Sequence, residues 1–490
     1  MSLKINKTIC HDEPLIFEIG NKEKESFFVP DSSEIKAEDL PKELQRENID
    51  LPNLSEPEIA RHFTRLSKKN YSLDLDIYPL GSCTMKYNPK INEVIARTSS
   101  FASHHPMLED ELSQGSLKII HELENHLCRL TGMDAFSLQP CAGAHGELAG
   151  MKMIAAYHKH NKSNKTKVLI PDTAHGTNPA SAALCGYNVV QIKSNDKGTI
   201  DLEDLNKKMD KEVACIMITN PNTLGIFESD ICEISKIIHE QNALVYMDGA
   251  NFNAIIGIAN IAKMGIDVLH LNLHKTFSTP HGGGGPGSGP VGVTSTLKQF
   301  LPIPIIKTDS KANLYFDSSN PNTIGKVSTF YGNFGVLLRA LSYIYNVGND
   351  GFSQIAENAV LNASYIKAKL EKVLHLPFAQ NTMHECVFSD ASFKEYGVTT
   401  MDFAKRLLDY GTHAPTVFFP LIVHGAIMIE PCETESKRSL DNFINVVYQI
   451  IDEIKDNPEF VKKAPHNLPI KRLDEVVAAR KPIITYKKKD

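Results

Sequence analysis

The sequence has no apolar run long enough to cross a membrane. Its bulkiest apolar stretch, residues 417–429, is interrupted by Pro420, His424 and Gly425, whereas a membrane helix needs about 20 consecutive apolar residues. Charged side chains recur through the first twenty residues, so the apolar core of about 7–15 residues that a secretory signal needs is absent. We therefore expect a cytoplasmic protein that does not enter a membrane.

Positive charge and paired cysteines are also scarce. Lysine and arginine total 52 against 58 acidic residues, a net charge of −6, which lacks the basic excess of a nucleic-acid-binding protein. The nine cysteines contain no CxxC pair, which argues against a disulfide framework and a cysteine zinc site. We expect reduced thiols, no metal site and no nucleic-acid partner.

The order of apolar segments predicts an α/β fold. The 490 residues are enough for two or three domains at roughly 100–200 residues each. Short apolar runs alternate with helix-length segments, which is typical of a mainly parallel sheet flanked by helices. These runs occupy residues 168–170, 189–192, 213–218, 244–247, 268–271 and 291–293.

The regions outside this alternating pattern differ in composition. Residues 1–71 are charged and contain many prolines, so we predict an N-terminal arm there. Helix-like periodicity dominates after residue 333, with predicted helices over residues 334–347, 352–373 and 441–454. The predicted division is thus an arm, a large cofactor-binding domain over residues 72–333 and a smaller C-terminal α/β domain over residues 334–490.

Polar residues follow several of the predicted strands, where ligand sites of parallel sheets collect. Gly143 and Ala144 open a predicted helix whose backbone N–H groups can bind a phosphate, although a tight turn is the alternative. His175 follows another strand and is either functional or a surface histidine. Asp248 follows a third strand and is either functional or a helix cap.

Lys275 lies just after a fourth strand and before a loop with six glycines in positions 282–289. A lysine amine in a desolvated pocket has a lowered pKa and becomes a nucleophile. The loop does not match a nucleotide-binding motif, because Pro290 replaces the expected GK[ST] ending and the strand is too distant.

These residues in this order favour pyridoxal 5'-phosphate as cofactor. In such enzymes a lysine holds the aldehyde as a Schiff base, an aspartate keeps the pyridine nitrogen protonated, and a histidine can stack on the ring. A helix N-terminus binds the phosphate. No single element is decisive, but the ordered set is hard to obtain by chance.

The sequence closely resembles the glycine decarboxylase (P-protein) family of the glycine cleavage system, which has the fold-type-I architecture of pyridoxal-phosphate enzymes. The chain is about half as long as the fused P-protein and resembles its carboxyl-terminal half, which carries the lysine in split systems. The matching motifs are PLGSCTMKYNP (79–89), AHGTNPA (174–180), TNPNTLGIFE (219–228), DGAN (248–251), residues 270–289, GKVSTFYGN (325–333), HAPT (413–416) and RLDEV (472–476).

The resemblance implies a role for each matched residue. Lys275 is the expected Schiff-base lysine, with His274 beside it in the cofactor site. Asp248 is expected to pair with the pyridine nitrogen, and His175 to stack on the ring. Asn220 is a weaker candidate for contacting the cofactor's phenolic oxygen. Gly143 and Ala144 are expected at the phosphate.

The resemblance also implies the reaction and the partners. Glycine would lose its carboxylate as CO₂, and its aminomethyl group would pass to the lipoyl group of H-protein. The chain would act with a separate subunit 1, in a hetero-oligomer containing two copies of each subunit. Two alternatives remain: another fold-type-I amino-acid decarboxylase that releases free amine, and a non-catalytic scaffold subunit.

Overall fold

The computed structural model describes residues 13–19, 41–45, 51–52, 54–105, 108–379 and 382–485. The chain forms two compact units, one made of Met1–Leu75 with Asn467–Asp490, the other of Asp76–His466. None of the helices in the described ranges combines the length and the apolar character that a membrane crossing requires.

The helices and strands of the described residues are numbered in chain order. The α-helices are α1 (Ile16–Ile19), α2 (Glu56–Ser67), α3 (Lys90–Ala96), α4 (Ser99–Ala102), α5 (Gln114–Thr131), α6 (Gly143–His160), α7 (Thr177–Leu184), α8 (Leu202–Lys208), α9 (Ile231–Glu240), α10 (Phe334–Leu370), α11 (Thr400–Asp409), α12 (Lys437–Asp456), α13 (Pro458–Lys462) and α14 (Glu475–Arg480). The strands are β1 (Ala135–Ser137), β2 (Lys167–Pro171), β3 (Asn188–Ile192), β4 (Val213–Thr219), β5 (Leu244–Gly249), β6 (Val268–Leu271), β7 (Val291–Val293), β8 (Ile305–Thr308), β9 (Leu314–Asp317), β10 (Cys386–Phe388), β11 (Thr416–Val417) and β12 (Ile427–Ile429).

The smaller unit contains part of the predicted arm. Helix α2 begins at a capping box in which Ser55 and Glu58 satisfy each other's backbone N–H groups. Glu13 accepts hydrogen bonds from Arg65 at 2.5 Å and is 2.8 Å from His62, and the Arg65 bond lowers the pKa of Glu13 to about 2. The rest of the predicted arm, residues 1–12, 20–40, 46–50 and 53, lies outside the described residues.

A seven-stranded sheet in the order β1-β7-β6-β5-β4-β2-β3 organises the larger unit. Its neighbouring strands from β6 to β3 pair in parallel, and β7 runs antiparallel to both β6 and β1. All residues of β4 and β5 are buried, which explains their continuous apolar runs. Each of the six predicted runs forms a strand, so the predicted α/β fold with a mainly parallel sheet is confirmed.

Alternate residues of the central strands pack on opposite faces of this sheet. Ile216 and Ile218 of β4 join one apolar cluster, whereas Cys215 and Met217 join another, as the two-residue period of a strand requires. The sheet therefore has a separate core on each face, and its strand ends lie at a rim between helices.

A second, antiparallel sheet in the order β10-β12-β11 packs with α11 and α12. Helix α12 buries Leu440, Phe443, Ile444 and Val447 at the spacing of one helix face. The helix predicted over residues 441–454 lies within α12, and the two predicted helical stretches at residues 334–347 and 352–373 correspond to α10, which is interrupted at Gly348.

Helix α10 contributes to two of the apolar cores of the larger unit. Val336 and Leu341 belong to the core on one face of the central sheet, whereas Ile366 and Leu370 belong to the core beside the small sheet. This long helix thus connects the two sheets physically. The predicted boundary between the large and small domains, at residues 333 and 334, stays a prediction.

A buried lysine joins four distant segments of this unit. The Nζ atom of Lys86 donates to Asn253 at 2.9 Å, Tyr343 at 3.0 Å and Glu433 at 2.7 Å. Burial opposes the charge of Lys86, but Glu433 and Tyr343 raise its pKa well above the ordinary value. All three ammonium protons are therefore used, and the segment before α3 is fixed to the core.

We predict that Lys86→Met destabilises the fold by about 3–5 kcal/mol, because it leaves the Glu433 carboxylate partly buried without its cation. The free energy of unfolding in denaturant at neutral pH measures this loss. Lys437→Met is the control, since Lys437 is exposed and contacts Asp441 and the Tyr365 ring at the surface, and it should change stability little. Equal stability of both variants would contradict this role of Lys86.

Close backbone packing between the start of α6 and the start of β7 generates a second prediction. A Cβ atom at Gly289 would overlap the carbonyl oxygen of Ala142, just before α6. Gly289→Ala should therefore destabilise the protein by about 1–3 kcal/mol, measured by thermal unfolding. Gly115→Ala, at a position where a Cβ meets nothing within 4 Å, should leave stability unchanged or slightly raised. Equal melting temperatures would refute the overlap.

Candidate active site

The exits of β2, β4, β5 and β6 meet at one rim of the central sheet. Asp248 is in β5, Asn220 directly follows β4, and His175 and Lys275 each lie four residues beyond a strand. The charge of Lys275 acts on the pKa of both Asp248 and His175. The structure therefore brings Asp248, His175 and Lys275 together at this rim, and we refer to this group of residues as the pocket.

Asp248 is a buried carboxylate with several donors. Its Oδ1 accepts the N–H of Ala250 at 2.9 Å and lies 3.3 Å from His270 Nε2. Its Oδ2 accepts from Asn178 Nδ2 at 3.3 Å. Burial favours the neutral acid, but His270, Lys275 and these hydrogen bonds outweigh it and lower the pKa of Asp248. Asp248 is therefore an anion at neutral pH.

His270 and Tyr246 support this anion from the neighbouring strand positions. His270 lies opposite Asp248 in the β5–β6 register, and its Nδ1 is 2.6 Å from the Tyr246 hydroxyl. Burial lowers the pKa of His270, although Asp248 opposes this shift, and the Nε2 atom of His270 faces Asp248. Sequence reasoning missed both residues, although Tyr246 and Asp248 share one face of β5 by strand alternation.

His175 and Asn220 lie at the same rim. His175 Nδ1 is 2.9 Å from the Thr177 hydroxyl, and its ring meets Phe419 edge-on at 5.7 Å. Partial burial lowers the pKa of His175, Asp248 opposes this shift, and Lys275 adds to it. Asn220 accepts the N–H of Glu228 at 3.0 Å, while its buried Nδ2 has no partner among the described residues.

The N-terminus of α6 packs against the segment that carries Lys275. The first N–H groups of a helix have no intrahelical partner, and here they belong to Gly143 and Ala144. A Cβ at Gly143 would overlap the Asn272 amide. Burial and the charge of Lys275 lower the pKa of His274 to about 4, and its Nδ1 accepts the N–H of Ser288 at 3.3 Å. Neutral polar groups therefore surround this helix end.

Two buried glutamates, which sequence reasoning missed, hold a loop beside Lys275. Glu430 accepts the N–H of Thr84 at 3.0 Å and its hydroxyl at 2.6 Å, and Glu385 accepts the N–H of Ser82 at 2.7 Å. Burial raises the pKa of Glu430 to about 7 and that of Glu385 well above its ordinary value. The loop belongs to the quoted motif at residues 79–89, but the glutamates flank strands of the small sheet, Glu385 just before β10 and Glu430 just after β12.

Two family models match the chain. The model described as glycine cleavage system P-protein matches residues 16–313, and the one described as glycine dehydrogenase, C-terminal domain, matches residues 355–471. Among curated proteins, the probable glycine dehydrogenase (decarboxylating) subunit 2 of Caldanaerobacter subterraneus subsp. tengcongensis is 53% identical over 97% of this chain and 99% of its own length. The protein of the same name from Pyrococcus furiosus is 53% identical over 97% of this chain and 96% of its own length.

Solved structures show the same fold. A glycine decarboxylase (P-protein) of the glycine cleavage system, in inhibitor-bound form, matches with a TM-score of 0.70 and 18% identity, over 84% of this chain and 93% of its own. A cysteine desulfurase from Thermococcus onnurineus NA1 matches with a TM-score of 0.59 and 16% identity, over 77% of this chain and 95% of its own. The predicted fold-type-I architecture is therefore confirmed, and the chain belongs to the glycine cleavage system P-protein family.

Proposed function

We propose that this protein decarboxylates glycine with pyridoxal 5'-phosphate and transfers the aminomethyl group to the lipoyl group of H-protein. The proposal is supported by the electrostatic influence of Lys275 on Asp248 and on Glu147 of α6. It is also supported by the close packing of Gly143, the first residue of α6, against Asn272. Support also comes from relatives named glycine dehydrogenase (decarboxylating) subunit 2, which align over nearly their whole length.

The pocket fits this cofactor chemically. The N–H groups of Gly143 and Ala144 would bind its phosphate with His274 nearby. Two buried polar atoms without a partner in the described part of the chain, Asn220 Nδ2 and Ser288 Oγ, are available for further contacts. Lys275 would hold the aldehyde covalently. Asp248, already an anion, would hold a proton at the pyridine nitrogen.

The protein's own groups would then bind and orient the cofactor and glycine, and would exclude water. His175 would cover one face of the ring, in the neutral form that its lowered pKa favours. The bound cofactor supplies an electron sink for the electrons left when glycine loses CO₂. Overall, the C–C bond of glycine breaks, a C–S bond forms as the lipoyl disulfide breaks, and the released sulfur takes a proton. The disulfide is the oxidant, so no other electron acceptor is required.

We further propose a hetero-oligomer with two copies each of this chain and subunit 1, because the curated relatives are named as subunit 2. We also propose that this assembly is cytoplasmic. We retain the division into an arm (residues 1–71), a large domain (72–333) and a small domain (334–490). In the described part of the arm, Ile59 and Phe63 of α2 are exposed, which suits a segment that binds another chain.

The function is tested by exchange of labelled bicarbonate into glycine, with subunit 1 present. Exchange should require lipoylated H-protein and should vanish in Lys275→Ala, which should also lose the visible absorbance of the bound cofactor while remaining folded. Release of free methylamine without H-protein would instead indicate a simple decarboxylase. An unchanged spectrum in the variant would refute the assignment of Lys275.

Assembly generates a separate prediction. This chain alone with H-protein should be inactive, and mixing it with subunit 1 should give a stable hetero-oligomer in size-exclusion chromatography. Deleting residues 1–70 should weaken that complex, because the charged arm has too few apolar positions to pack on itself. Full glycine decarboxylation by this chain without subunit 1 would contradict the prediction.

A further inference from the structure

Glu147 is a buried acid beside Asp248 that matches none of the predicted site residues. It lies in α6, four residues after Gly143, so both residues are on the same face of the helix. Its exposed fraction is 1%. The helix whose N-terminus would take the phosphate therefore also carries this carboxyl group toward Asp248.

Glu147 connects the two sides of the pocket through two neighbouring residues. Asn178 Nδ2 donates to the Glu147 carboxyl group and, at 3.3 Å, to Asp248 Oδ2. The Thr177 side chain also lies close enough to Glu147 to affect its pKa, and its hydroxyl is 2.9 Å from His175 Nδ1. Glu147 is thus joined to Asp248 through Asn178 and lies beside Thr177, which contacts His175.

The orientation of Asn178 depends on these contacts. Asn178 is fully buried, and its Oδ1 has no partner among the described residues. Only its Nδ2, held by Glu147 and Asp248, fixes the amide plane. Without Glu147 the amide would be free to turn, and Asp248 would lose its donor on the Oδ2 side.

The charge state of Glu147 is consistent with a supporting role. Burial and the charge of Asp248 raise the pKa of Glu147 to about 8. At neutral pH this side of the pocket therefore carries one negative charge, on Asp248, and the neutral Glu147 supplies only hydrogen bonds. A glutamine, which is neutral and of the same length, should therefore be able to take over the hydrogen-bonding role of Glu147.

We propose that Glu147 is a positioning residue: it holds Asn178 against Asp248 and Thr177 against His175, and links both to the N-terminus of α6. The inference rests on the proposed function, because the roles of Asp248 and His175 toward the cofactor belong to it. Glu147 does not touch the reacting atoms in this scheme, so its effect is exerted through the cofactor site.

The test is titration of the cofactor-free protein with pyridoxal phosphate, followed by absorbance. Glu147→Ala should raise the dissociation constant by about 10-fold or more and should shift the visible band. This is the scale expected when the charged Asp248 loses its hydrogen bond from Asn178. Glu147→Gln should stay within about 3-fold of the unsubstituted protein with the same band, since it keeps an acceptor and the neutral charge. If the alanine variant unfolds, Glu147→Met takes its place.

Two further variants separate positioning from general damage. Glu124→Ala removes a partly buried glutamate, whose pKa is likewise raised to about 8 by burial and whose partner is Tyr331, and it should leave the dissociation constant unchanged. In a double-mutant cycle, Glu147→Ala with Asn178→Ala should be little worse than Asn178→Ala alone, because Glu147 acts partly through that amide.

The outcomes distinguish this inference from the proposed function. An unchanged dissociation constant and spectrum in Glu147→Ala, or a glutamine variant as impaired as the alanine variant, would overturn the role of Glu147. If the unsubstituted protein fails to bind pyridoxal phosphate, both the proposed cofactor and the role of Glu147 are wrong. If binding follows the expected pattern while glycine exchange is absent, Glu147 keeps its role and the glycine reaction is wrong.

Discussion

The pocket depends on keeping Asp248 charged while it is buried. Placing a carboxylate away from water is costly unless donors and positive charge compensate it. Here the compensation comes from the N–H of Ala250, the Asn178 amide, His270 and Lys275. Because β5 and β6 are parallel neighbours and Asp248 pairs with His270 in their register, the sheet itself places His270 beside Asp248.

A second constraint fixes the loop of residues 81–86 beside Lys275. Ser82 and Thr84 have φ values of 58° and 46°, in a region unfavourable to residues with a Cβ. The carboxyl groups of Glu385 and Glu430 accept their N–H groups, and the buried ammonium of Lys86 anchors the end of the loop. The small sheet thus shapes the pocket from outside the central sheet.

Sequence pattern predicts the central sheet well, since buried parallel strands are continuous apolar runs and the residues after them meet at one rim. That reasoning places Asp248, His175 and Lys275 in one pocket. It cannot find Glu147, which lies within a helix of mostly apolar and small residues, nor Glu385 and Glu430, whose approach depends on how the small sheet packs. Sequence pattern cannot fix the predicted domain boundary either, because α10 packs into one core of the central sheet and into the core beside the small sheet.

The central claim is that the pocket binds pyridoxal phosphate covalently at Lys275. The most direct measurement is borohydride reduction of the cofactor-loaded protein, followed by proteolysis and mass spectrometry of the peptides. The account predicts a phosphopyridoxyl group on the peptide that contains Lys275 and on no other lysine. Modification of a different lysine, or a loaded protein that carries no reducible group, would contradict it.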